Sequence, residues 1–151
     1  LTDRLLEQPR ITTLLKNIDL IIPVPLHRNR QFSRGYNQAK VIAARIAKRC
    51  KRVGFASADV KLLQPLRRIR DTEQQTSKSS QQARHANVRD AFALKKPDGI
   101  EGRRLLIVDD VLTTGATLQA VGRTLLPAKP ASLAALVIPA ADPRHRDFLT
   151  L

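Results

Sequence analysis

Residues 105–118 read Leu-Leu-Ile-Val-Asp-Asp-Val-Leu-Thr-Thr-Gly-Ala-Thr-Leu, and the fold is decided here. Four apolar residues run into two adjacent carboxylates, Asp109 and Asp110, and a Thr/Gly loop leads on to a helix-forming segment. A buried strand whose loop opens a helix makes an anion site. Backbone N–H groups and the positive end of the helix dipole converge there. Thr113, Thr114 and Thr117 add hydroxyl donors, and Gly115 lets the backbone approach a ligand closely. Carboxylates beside a phosphate seat suit the vicinal hydroxyls of a sugar, or an Mg2+ ion that neutralises phosphates. Phosphate and sugar together point to a phosphorylated ribose. An Asp-Asp pair alone would equally well cap a strand before an ordinary turn; the loop and the following helix favour the ligand. At a strand end, both acids are expected to face solvent.

Working outward, Leu20-Ile21-Ile22-Pro23-Val24 suits a buried strand, and a Pro/Arg-rich loop runs on through Asn37. Gln38 to Arg52 reads as a helix, with Ile42, Ile46, Cys50 and Val53 on one stripe and Arg45, Lys48 and Arg52 on another. Leu5 to Leu15 reads as a short helix interrupted near Pro9, and Val60 to Leu66 as one strand. Arg67 to Asn87 is polar and reads as a mobile loop or lid, with Ser79 to Ala86 helical within it. Ala91 to Leu94 forms a short strand, Thr117 to Leu126 a helix and Ala131 to Ile138 a last strand. Strands alternating with helices predict an α/β fold, a doubly wound, mostly parallel sheet flanked by helices. In such sheets ligands sit beyond the carboxyl ends of the strands, where the acidic loop falls.

The 151 residues fit a single domain spanning 1–151. No apolar run is long enough to span a membrane, and no signal-peptide pattern opens the chain. One cysteine, Cys50, excludes an internal disulfide or a Cys-rich zinc site within this chain. These features predict a cytoplasmic protein. A start at Leu1 and the absence of methionine predict a fragment of something longer. The net charge of +14 is uneven: no Asp or Glu occurs between Asp19 and Asp59, a window containing Arg28, Arg30, Arg34, Lys40, Arg45, Lys48, Arg49, Lys51 and Arg52. A field of this sign attracts polyanions, and single-stranded DNA is the expected partner of the stripe Arg45, Lys48 and Arg52.

Two further motifs stand out, the first of them again after a strand. Ile22-Pro23-Val24-Pro25-Leu26-His27-Arg28 continues to Arg34-Gly35-Tyr36-Asn37-Gln38, and Arg forks there match phosphate oxygens. Pro25, Leu26, His27, Arg28 and Arg34 are thus candidates for holding a pyrophosphate group. The other motif is Arg70-Asp71-Thr72 through Gln75, then Arg84 and Asn87 to Phe92.

The acidic stretch closely resembles the phosphoribosyl pyrophosphate (PRPP) loop of type I phosphoribosyltransferases. With the Pro-Val-Pro-Leu-His, Arg-Gly-Tyr-Asn-Gln and Asn-Val-Arg-Asp-Ala-Phe motifs, the resemblance over residues 20–138 is to ComF/GntX-type phosphoribosyltransferase-like proteins. It implies that Asp109 and Asp110 hold the ribose hydroxyls and, directly or indirectly, Mg2+. It implies further that Thr113, Thr114, Gly115, Ala116 and Thr117 wrap the 5′-phosphate. The polar insert, with Arg70, Thr72, Gln75, Arg84 and Asn87, would be the flexible loop that closes over the site. Purine enzymes of this fold generally carry an Asp where this loop has Thr113, which argues against purine salvage. ComF proteins are associated with competence, so the resemblance implies a role in DNA uptake, PRPP or ribose 5-phosphate as ligand, and other competence proteins as partners. Family members commonly carry an N-terminal Cys-rich segment that these residues do not supply. The stretch after the last strand, Pro139 to Leu151, makes a minimal hood with no evident nucleobase pocket, favouring ligand binding over transfer. The alternative is an active transferase moving the phosphoribosyl group from PRPP to a nitrogenous acceptor with release of pyrophosphate; no catalytic residue stands out.

Overall fold

The computed structural model describes residues 7–26, 35–54, 60–70, 90–112 and 114–138. In chain order these form α1 (Pro9–Lys16), β1 (Leu20–Pro23), α2 (Gln38–Val53), β2 (Lys61–Leu62), β3 (Leu66–Arg68), β4 (Phe92–Leu94), β5 (Arg104–Asp109), α3 (Ala116–Leu125), a 3-10 turn (Leu126–Ala128) and β6 (Ser132–Val137). The main sheet is wholly parallel, in the order β2-β1-β5-β6. β3 and β4 form a separate antiparallel pair.

Alternation along the strands divides the core into two. Ile21, Leu106, Val108 and Leu136 face α1 and α2, meeting Ile11, Leu15, Ile46 and Cys50. Leu20, Ile22, Leu105, Ile107 and Val137 face the other way, onto Leu118, Val121 and Leu125 of α3 and onto Leu66 and Phe92 of the β3–β4 pair. β1 and β5 are buried along nearly their whole length, as a sheet covered on both faces requires. At the amino edge of the sheet, Asp19 clamps Arg104: its Oδ2 accepts from the Arg104 Nε at 3.0 Å and from the backbone N–H at 2.8 Å, and its Oδ1 from a terminal guanidinium nitrogen at 2.8 Å. These charge-assisted bonds hold the Asp19 carboxyl down at about 2, from a usual 3.8.

Four details differ from expectation. Pro9 does not interrupt a helix but begins one, at the position where a missing N–H costs nothing. The expected strand over Val60 to Leu66 is two strands in two sheets, because Leu63 to Pro65 breaks the pairing and Pro65 cannot donate to a ladder. Arg67 and Arg68, assigned to the polar loop, lie in β3, paired with Ala93 and Phe92. Val53, expected on the apolar stripe, is 42% exposed at the last turn of α2.

Candidate phosphoribosyl site

β1 and β5 are neighbours, yet the chain leaves β1 toward β2 and leaves β5 toward β6. Their carboxyl ends therefore flank the point where the strand order reverses, the place where open parallel sheets hold ligands. The register puts Pro23 opposite Val108, and the Val24 N–H continues the ladder to the Val108 carbonyl at 2.9 Å. Pro25 and Leu26, themselves half-buried, thus leave the sheet beside Asp109 and Asp110. Asn37 ties the next helix to this edge. Its Nδ2 donates to the Val24 carbonyl at 3.0 Å, while its Oδ1 caps α2 by accepting from the Lys40 N–H at 3.2 Å.

Asp109 ends β5 with the parity of Leu105 and Ile107, on the α3 side of the sheet. Both acids are only 7% exposed, so the expectation that they face solvent is wrong. The Asp109 Oδ1 accepts the Asp110 backbone N–H at 2.9 Å, which folds its side chain back over the turn. Burial first, and the Asp110 charge second, push the Asp109 carboxyl up from 3.8 to about 7, against a counteracting pull from Arg68. Arg68 is held by the Phe92 ring, whose centroid lies 5.5 Å from the guanidinium carbon.

The loop then turns through Gly115 at φ +72°, a left-handed conformation that favours glycine. The first helical bond of α3 runs from the Gln119 N–H to the Gly115 carbonyl at 3.0 Å, so the N–H groups of the first turn point out of the helix start. The Thr114 hydroxyl accepts from the Ala116 N–H at 3.4 Å, and no acid occupies the first turn. Thr114, Gly115 and Thr117 are half-buried, Ala116 is buried, and all lie at this helix start directly after the acids.

Thr113 lies outside the described residues, as do His27, Arg28, Arg34, Thr72, Gln75, Arg84 and Asn87. Arg70 is exposed just after β3. Arg45, Lys48 and Arg52 are all exposed on α2, away from its buried face of Ala39, Ala43, Ile46 and Cys50. The sequence reading missed Arg68, whose half-buried place opposite Phe92 follows from alternation with the buried Leu66. It also missed Asn37 as the tie between α2 and β1, although an Asn directly before a helical run is a readable cap signal.

Two adjacent buried carboxylates thus stand beside the start of a helix at a topological switch point. A phosphoribosyl transferase domain matches residues 33–148. The chain belongs to that family. It is similar to Competence protein F of Haemophilus influenzae, 34% identical over 116 residues, 76% of this chain and 47% of that protein. DNA utilization protein YhgH of Escherichia coli O157:H7 is 34% identical over 117 residues, covering 78% of this chain and 47% of that one. Competence protein ComFC of Bacillus subtilis is 29% identical over 107 residues, with 71% and 38% covered. Among phosphoribosyltransferase-like proteins this chain is therefore of the ComF kind, and it matches less than half the length of these relatives. No helix among the described residues is long and apolar enough to cross a membrane.

Proposed function

We propose that this chain binds PRPP or ribose 5-phosphate at the carboxyl ends of β1 and β5, as the phosphoribosyl module of a protein acting in DNA uptake. The observation that carries this reading is the buried Asp109–Asp110 pair, set immediately before the Gly115 turn and the start of α3. Two carboxylates held out of water are costly unless something neutralises or hydrogen-bonds them. Vicinal ribose hydroxyls donate to such a pair, and the helix start receives the 5′-phosphate. Family membership and relatives named for competence and DNA utilization support the same reading.

The donor set also fits Mg2+. Two hard carboxylate oxygens, with no group of three His, Cys, Asp or Glu among the described residues, suit an ion that keeps several waters and takes the rest of its shell from substrate phosphates. Asp109 and Asp110 would hold it, and it would supply neutralisation of phosphate charge. The chain's own part is to fix the ribose through the acids and the phosphate through the loop over Thr113, Thr114, Gly115, Ala116 and Thr117.

The exposed cations of α2 give the module a second role, as a weak, sequence-independent surface for single-stranded DNA. Arg45, Lys48 and Arg52 share one outward face, and no carboxylate occurs on the helix to offset them. A thermal-shift series with PRPP, ribose 5-phosphate and pyrophosphate, each with and without Mg2+, tests the ligand. A ligand present at 100 times its Kd raises stability by about 2.7 kcal/mol, a shift of several degrees. PRPP with Mg2+ is expected to give that shift; none of the three shifting the midpoint would overturn the proposal.

A further inference from the structure

Tyr36 is the last residue before Asn37, the cap of α2, and it is 54% exposed. Among the described residues the aromatic side chains are Tyr36 and Phe92, and Phe92 is buried in the core. A large ring is usually buried, where its area contributes most, so a ring held in solvent beside a helix start asks for a partner.

The backbone fixes where this ring stands. Gly35 turns the chain at φ +75°, a conformation that favours glycine, and delivers Tyr36 to the helix start. Asn37 then ties that start to the Val24 carbonyl at 3.0 Å, and the Val41 N–H makes the first helical bond to the Asn37 carbonyl at 3.1 Å. A residue just before a cap commonly packs on the fourth residue of its helix. Here these are Tyr36 and Val41, and Val41 is itself 41% exposed.

Val41 opens a row that continues through Arg45, Lys48 and Arg52, all of them exposed. Spacings of four, three and four residues hold the row within about 60° of one helix face, and it runs about 17 Å along the axis. Arg49 turns out of the row and pairs with Glu7 at 3.4 Å. One ring and one aliphatic side chain thus stand at the amino end of three outward cations.

We infer that Tyr36 is the base-stacking end of this cationic row, so that the surface takes a single strand of DNA in preference to a duplex. The inference rests on the proposed DNA surface and adds what that surface recognises besides charge. Cations alone hold the backbone of single strand and duplex alike. A ring stacks on a base whose face is open, as in a single strand, and it accepts any base. The strand's phosphates follow Arg45, Lys48 and Arg52 while one base turns onto Tyr36, with Val41 as an apolar edge.

The test is fluorescence anisotropy of the whole chain with two labelled oligonucleotides of equal length, an oligothymidylate and an abasic deoxyribose-phosphate strand. Both carry 5′-hydroxyl ends, so no terminal phosphate enters the phosphoribosyl site. Wild type should hold the oligothymidylate at least about fivefold more tightly than the abasic strand. Tyr36→Ala should abolish that preference and keep the salt slope, because no charge changes. Tyr36→Phe should keep both, and a duplex of the same length should bind wild type and Tyr36→Ala alike. Circular dichroism verifies that the variants fold. Tyr36 is the sole tyrosine and the chain has no tryptophan, so tyrosine emission reports this ring alone. The oligothymidylate should quench that emission and the abasic strand should leave it unchanged. Equal affinity of wild type for the two strands overturns the inference and leaves the DNA surface standing. Oligothymidylate affinity unchanged in Tyr36→Ala, or a loss as large on the duplex, overturns it in the same way. No binding of either strand at low salt defeats the DNA surface itself, and the inference with it.

Discussion

Asp109 pits burial against function. Its carboxyl is drawn up to about 7, first by burial and then by the Asp110 charge, from an unfolded value of 3.8. Between these values the folded chain holds a proton that the unfolded chain has released. Stability from this group is therefore full below about pH 4 and declines as pH rises through 7. Asp109→Asn removes the titration, and the amide oxygen can still accept the Asp110 N–H. In metal-free buffer the variant should gain on wild type as pH rises from about 5 to 8, by on the order of 2–4 kcal/mol. Urea denaturation across that range checks it; parallel curves for the two proteins would contradict the assignment. The identity of both acids was legible in the sequence, because an apolar run into Asp-Asp and a Thr/Gly loop is specific. Their burial was not. On the side of the sheet that Asp109 shares with Ile107 packs the β3–β4 pair, a contact between segments distant in sequence.

At the scale of elements, Asn37 decides how α2 meets the sheet. Its Oδ1 caps the helix and its Nδ2 holds the Val24 carbonyl. Asn37→Ala loses both and should cost about 1–2 kcal/mol. Asn37→Asp keeps the cap acceptor but has no donor for Val24, so it should lie between wild type and the alanine variant. Chemical denaturation of the three proteins gives the order, and an aspartate variant no better than alanine would mean that the cap contributes nothing. β1, α2, β5, α3 and β6 were each readable within a residue or two, since long apolar runs and a basic-apolar helix carry strong periodicity. The β3–β4 pair was half-read: Phe92 to Leu94 was visible, but Leu66 to Arg68 was hidden by two arginines at the border of a polar stretch. Arg68 belongs in a strand because its stem and guanidinium lie on Phe92, a tertiary fact that local polarity misrepresents.

For the molecule as a whole, two chemistries stand out, a carboxylate pair at the switch point between β1 and β5 and a row of exposed cations on α2. The excess of +14 is the more general of the two, and its reach shows in salt dependence. Each phosphate neutralised on single-stranded DNA gives a log–log slope of roughly −0.7, so a contact of about four phosphates should approach −3. Charge reversal at Arg45, Lys48 and Arg52 should flatten that slope while ribose 5-phosphate binding survives, read by fluorescence anisotropy with a labelled oligonucleotide. Binding indifferent to both salt and the triple variant would assign the basic face of α2 to another partner. The carboxylate pair is the more specific of the two, and the account stands or falls on it. The direct measurement is calorimetric titration of PRPP with Mg2+ into wild type and into Asp109→Asn/Asp110→Asn, with folding of both verified by their unfolding transitions. The account predicts saturable binding to wild type and at least about a tenfold loss in the folded double variant; wild-type affinity in that variant would contradict it.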